Sequence, residues 1–240
     1  MATAVGVVSG FALRRHAAIP TARVAAPTLH AAGAGHATSA SHWPQGIAAA
    51  RARRTRRALA SVSIAAAAVA CFAARVHIHL LRHGIAEDAA PSGADADRAL
   101  TDEGRKRLRK AADAWRSVVE PLDLVLTSPL LRARQTCEIF CAAVGFTGEV
   151  RVCPELVPSA APSLALQLFE GESLSGANAI AAVGHEPHLG YLLGLLLTGQ
   201  GRLPVPFKKG MLVGVETASR ASLVGQLRFA LTQKLAGELG

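Results

Sequence analysis

The sequence predicts an α/β fold in which crossover helices join strands into a mostly parallel sheet. Two observations carry that expectation. From Val76 onward, short apolar runs bounded by Gly, Pro and Asp alternate with longer stretches of helical character. Three of the apolar runs end on a segment carrying Arg or His, as strands do when their carboxyl ends face a ligand.

The elements follow in order. Val76 to Leu81 (VHIHLL) reads as a strand running into a turn at Arg82-His83-Gly84. Glu87 to Ala99 is small, polar and acidic, hence a loop, and Thr101 can cap a helix that extends through Val118. Leu122 to Thr127 is a second strand, followed by a helix from Pro129 to Val144 that Gly145 stops. Val150 to Cys153 reads as a short third strand and Ser163 to Glu170 as a helix. Asn178 to Val183 is a buried strand ending at Gly184-His185, and His188 to Leu197 an apolar helix. Met211 to Glu216 and Gln226 to Leu231 close the sheet.

Charge divides the chain. Residues 1–75 hold nine arginines and no Lys, Asp or Glu, whereas Val76 to Gly240 carries 17 Lys plus Arg against 17 Asp plus Glu. The net charge of +9 therefore belongs to the first part, and a neutral remainder has no long-range attraction for nucleic acid. Rich in Ala, Ser, Thr and Arg, residues 1–75 have the composition of a disordered transit peptide, leaving 76–240 as one domain. The opening Met1-Ala2-Thr3-Ala4 and the length favour a chloroplast, the stroma before the thylakoid lumen, with a mitochondrion as the alternative. The Ala-dominated run Ala58 to Ala74 is short for a span and inserts weakly, so stable membrane insertion is not expected. Cys71, Cys137, Cys141 and Cys153 form no C-x-x-C pair and read as reduced thiols.

Chemistry concentrates in Leu81-Arg82-His83-Gly84, in Thr127 to Ala133 with Arg132, and in Val183-Gly184-His185-Glu186-Pro187. Two arginines and two imidazoles converging past strand ends call for an anion. Phosphoryl transfer fits, because charge spread over three oxygens needs fixed donors and a guanidinium offers a fork that lysine cannot. An imidazole in line with phosphorus can form a covalent intermediate that water resolves. His83 is the candidate, since Gly84 allows close approach of the backbone behind it.

The LLRHG, TSPLLRARQT and VGHEPHL segments resemble the histidine phosphatase superfamily, specifically its SixA-type phosphohistidine phosphatase branch. The likeness runs from Val76 to Leu235 and includes DADRALTDEGRKRL and FKKG. It implies that Arg82 and Arg132 bind phosphate with Gly84 beside them, that His83 is phosphorylated, and that His185 donates to the phosphoryl oxygens. It also implies a three-layer, phosphoglycerate mutase-like fold, compact and without an inserted cap, and no cofactor. The substrate expected is a phosphohistidine protein or a small phosphorylated molecule. A general phosphomonoesterase, a phosphoglycerate mutase-like enzyme and a non-catalytic phosphate-binding module are the alternatives.

Glu155, Glu87 and Glu186 are candidates for an acid that protonates a leaving group, and a phosphoramidate needs one less than an alkyl phosphate. His77 and His79 alternate on a strand, and His185 and His188 are three apart, but no carboxylate or thiolate accompanies them in register and arginines repel a cation. No metal is expected. Lys208 and Lys209 read as exposed loop lysines that could rim the pocket, Arg105 to Lys110 as a solvated helix face, and Arg134 as the neighbour that could replace Arg132.

Overall fold

The computed structural model describes residues 73–201 and 205–239. The leader reading, apart from its last three residues, lies outside them. Among the described residues six strands make one sheet: β1 (His77–Arg82), β2 (Leu124–Thr127), β3 (Val150–Val152), β4 (Ala179–Gly184), β5 (Leu212–Ser219) and β6 (Ser222–Leu231), in the spatial order β3-β2-β4-β1-β5-β6. The pairs β1/β4, β2/β4 and β2/β3 are parallel, while β5 runs antiparallel to β1 and β6 to β5.

Burial explains the arrangement. Every residue of β4 (AIAAVG) is buried, as a run without polar alternation must be when both faces of a sheet are covered. On one face Ile78, Leu80, Leu126 and Ile180 pack with α4 (Pro162–Leu174) through Phe169 and with α5 (His188–Thr198) through Leu189 and Leu192. On the other, Leu81, Val125 and Val183 meet α1 (Asp102–Lys110), α2 (Ala112–Val118), α3 (Leu131–Val144) and α6 (Gln233–Leu239). Three layers result. Among the described residues no inserted subdomain covers the carboxyl ends of the strands, and no helix is long and apolar enough to cross a membrane.

Capping sets the helix ends. Thr101 Oγ1 accepts the Gly104 amide at 2.9 Å, and Gly145 ends α3 in the left-handed region at φ 72°. The single helix expected from 101 to 118 is two helices. Ala111 breaks it, its amide closing a tighter turn onto Leu108 O at 3.1 Å, and both Leu108 and Trp115 reach the core. No Gly or Pro marks that break, so only packing could reveal it.

The closing strands are longer than expected and form a hairpin turning at Arg220-Ala221. Their polar ends are held from outside: the buried Arg220 donates to the carbonyls of Ser173 and Ala177 at 2.7 and 2.8 Å and to Asn178 Oδ1. Helix α6 was not expected at all. Its buried Ala236 packs in the same cluster as Leu108 and Trp115.

Candidate active site

Because β4 lies between β1 and β2, three strand ends deliver their polar segments side by side. The His83 amide donates to Gly184 O at 3.0 Å and the Ser128 amide to Val183 O at 3.0 Å, extending the ladder just past the strands. His83 and His185 then stand with ring centroids 5.0 Å apart and planes at 52°. Arg132, in the first turn of α3, is 5% exposed and reaches the same region.

Thr136, one turn along α3, ties this together. Its hydroxyl donates to Arg132 O at 2.7 Å and accepts the Gly84 amide at 3.1 Å. A second brace comes from the Lys208-Lys209-Gly210 turn. Gly210 has φ 68°, and its amide lies 3.1 Å from both Arg82 O and His83 O. Any side chain there would face a left-handed backbone and meet the Gln233 amide nitrogen at 2.6 Å, so glycine is required.

The His83 tautomer follows from its contact. Nδ1 lies 2.7 Å from Gly84 O, and a carbonyl can only accept, so Nδ1 carries the proton and Nε2 the lone pair. His185 Nε2 meets Ser128 Oγ at 2.8 Å, while its buried Nδ1 has no hydrogen-bond partner among the described residues. Arg82 donates Nη1 to Phe207 O, and its buried Nε is likewise unpartnered among them.

Burial is the main reason both imidazoles are poor bases. His83 is held down at about 4, with Arg132, Arg82 and Lys209 adding to the effect against the Gly84 bond. His185 is held at about 3, with His83, Arg132 and His188 adding and Asp95 opposing. Both are neutral at neutral pH. The consequence for stability has a definite sign: an unfolded His83 titrates near 6.5, so between 6.5 and about 4 the unfolded chain binds a proton that the folded chain refuses. Stability is expected to fall as pH drops through that window, with His185 extending the loss toward about 3. Urea midpoints from pH 7 to 4 measure it, and His83→Gln is expected to flatten the slope.

Sequence reading had missed Asp95. It sits in a turn of 3₁₀ helix (Asp95–Asp97), where its carbonyl accepts Arg132 Nη1 at 2.8 Å and its Oδ2 accepts Nη2 at 3.0 Å. Hydrogen bonds from Arg98 first, and Arg132 second, hold its carboxyl below the usual range. Only the DADR stretch hinted at it, and a polar, acidic loop gives no sign of which carboxylate turns inward. Ser128 and Thr136 were missed for a similar reason: their roles are contacts across the fold.

The other candidates separate clearly. Arg134 is exposed, so Arg132 alone turns inward. The reason for Gly84 differs from that expected: a Cβ there would meet Leu108 Cδ1 at 2.8 Å, while its amide and carbonyl are already taken by Thr136 and His83. Glu87 is exposed. Glu155 lies in the 3₁₀ turn past β3, its backbone beside the buried His188. Glu186 neighbours Arg82, and burial raises its pKa while the Phe207 and Gly190 amides and Arg82 oppose the rise. His77 and His79 do have a carboxylate companion, contrary to the sequence reading: Glu120 lies 3.3 Å from His77 Nδ1 and 3.0 Å from His79 Nε2. Among the described residues no group of three such side chains is disposed to hold a metal ion. Cys137, Cys141 and Cys153 are free and buried.

Known proteins resemble this chain in sequence and fold. The histidine phosphatase superfamily (branch 1) model matches residues 78–157. An uncharacterized protein of Picosynechococcus sp. strain PCC 7002 is 33% identical over 149 residues, 60% of this chain and 87% of that protein. The phosphohistidine phosphatase SixA of Escherichia coli K12 is 29% identical over 125 residues, 52% of this chain and 76% of its own. Among solved structures, the protein histidine phosphatase SixA complexed with tungstate superposes with a TM-score of 0.61 at 26% identity, covering 66% of this chain and 98% of that one. A phosphoglycerate mutase from Bacillus anthracis, at 10% identity and TM-score 0.55, shares the fold, covering 70% of this chain and 99% of its own.

The three-layer sheet is that of the histidine phosphatase superfamily, and this chain belongs to it. Within the superfamily it falls in the SixA-type branch.

Proposed function

We propose that the chain is a phosphatase that passes a phosphoryl group through a covalent intermediate on His83 and acts on a phosphohistidine or a related phosphoramidate. One observation carries the reading. The Gly84 carbonyl fixes the proton on His83 Nδ1 at 2.7 Å, leaving the Nε2 lone pair beside Arg132, Arg82 and His185.

In the first step Nε2 attacks phosphorus and the bond to the leaving nitrogen breaks, with that nitrogen taking a proton. The phosphorylated ring is then an imidazolium, and its Nδ1–H bond to Gly84 O stabilises the charge. Arg132 and the unpartnered Arg82 Nε–H supply donors for the equatorial oxygens. With the Ser128 hydroxyl donating to His185 Nε2, His185 Nδ1–H adds a neutral donor. Water attacks the phosphohistidine in the second step, releasing phosphate and restoring His83. The SixA relative was solved as a complex with tungstate, an oxyanion, which supports the reading that this chain binds one too.

The leaving group decides the substrate class. Asp95 is the carboxylate bonded to Arg132, and its two arginine partners keep it ionised, a poor proton donor. A phosphoramidate nitrogen, protonated from water before the bond breaks, does not need one. Measuring kcat/KM for a phosphohistidine peptide and an alkyl phosphate tests this. Preference for the phosphoramidate by roughly a hundredfold is expected, and equal rates would overturn it.

A further inference from the structure

Two depressions of about 280 and 340 Å³ lie beside the site and share Arg107, Gln233 and Lys234. They form one groove. It begins at Ile85, two residues past His83, and at Lys208 and Lys209, then runs between α1 and α6 to Lys110. The Gly210 turn that braces the His83 backbone fixes the start of this groove to the site.

Charge is segregated there. Residues 76–240 are neutral in sum, yet five cations (Arg107, Lys110, Lys208, Lys209 and Lys234) line the groove. Two carboxylates answer them: Glu103, bonded to Arg107 at 2.6 Å, and Glu238, 3.9 Å from Lys234. Like charges gathered on one face repel, and the fold gains nothing visible from the excess. The basic run of α1, expected to be an ordinary solvated face, is therefore one wall of a basic groove whose near end, at Ile85, is two residues along the chain from His83.

We propose that this groove docks an acidic segment of a phosphorylated protein, chain-adjacent to the residue whose phosphoryl group enters the site. The inference rests on the phosphatase reading for what happens at His83, but the docking itself does not. Protein is favoured over RNA because Ile85, Thr232, Gln233 and Gly237 complete the lining and offer no aromatic face for base stacking. A partner aligned in this way arrives faster and in register, an effect that salt screens.

The test uses the full chain and the variant Lys110→Glu/Lys234→Glu, with Lys110→Gln/Lys234→Gln as a milder pair. The probes are an acidic histidine peptide phosphorylated with phosphoramidate, the same peptide with Asn and Gln for its acids, and phosphoramidate alone. The charge-reversed variant is expected to lose about tenfold in kcat/KM on the acidic peptide and nothing on the other two, with the Gln pair intermediate. Fluorescence anisotropy of the labelled acidic peptide gives the same ranking without turnover, so an inactive enzyme would sink the phosphatase reading while the groove is still judged. Equal binding of acidic and neutral peptides by the wild-type chain, equal losses on all probes, or stronger competition by an RNA oligonucleotide would overturn the proposal.

Discussion

Replacing His83 with Ala is expected to lower kcat by roughly a thousandfold or more, a barrier increase above about 4 kcal/mol. Among the described residues no other side chain stands ready to take its place. His185 is the neighbouring imidazole, but its Nε2 is engaged with Ser128 and it is held neutral at about 3. Binding should persist in the variant, because Arg82 and Arg132 remain, and tungstate should still raise its melting temperature. Steady-state turnover of a phosphohistidine peptide makes the measurement. A loss under tenfold would mean that the nucleophile lies elsewhere.

Arg132→Ala is expected to cost about a hundredfold to a thousandfold in kcat/KM, the usual effect of removing one preorganised donor from a developing anion. Arg132→Lys should recover only part, since an ammonium restores charge without the fork. Arg134→Ala, two residues on and exposed, should behave as wild type. Asp95 adds a second expectation. With Arg132 gone, its carboxylate keeps Arg98 as partner but faces the phosphoryl group without the cation that had neutralised it. Asp95→Asn on the Arg132→Ala background should therefore restore several-fold of the lost activity, and a double-mutant cycle isolates that coupling. Strict additivity of the two changes would contradict it.

The structure brings together the four groups expected from the sequence: Arg82 ends β1, His83 and His185 directly follow β1 and β4, and Arg132 opens the helix after β2, so local pattern and chemistry coincide near strand ends. The α/β class and its layers were legible for the same reason: the AIAAVG run has no polar alternation and must be covered on both faces. What escaped depends on contacts between distant segments. Asp95 is bonded into the site through Arg132, 37 residues away. The break at Ala111 comes from packing, the Arg220 hairpin from carbonyls of α4 and the segment after it, and α6 from a surface that α1 and α2 create. Gly84 shows the intermediate case. Its importance was visible, but the cause, Leu108 pressing from α1, was not.

The most direct test of phosphoryl transfer through His83 is rapid quenching of the full chain with a labelled phosphohistidine peptide, followed by mass spectrometry of the intact protein and its peptides. One phosphoryl group, stable to alkali, released by acid and mapped to His83, is the result expected from an imidazole nucleophile. Turnover with no labelled protein at any quench time, or label that persists when His83 is Ala, would contradict it.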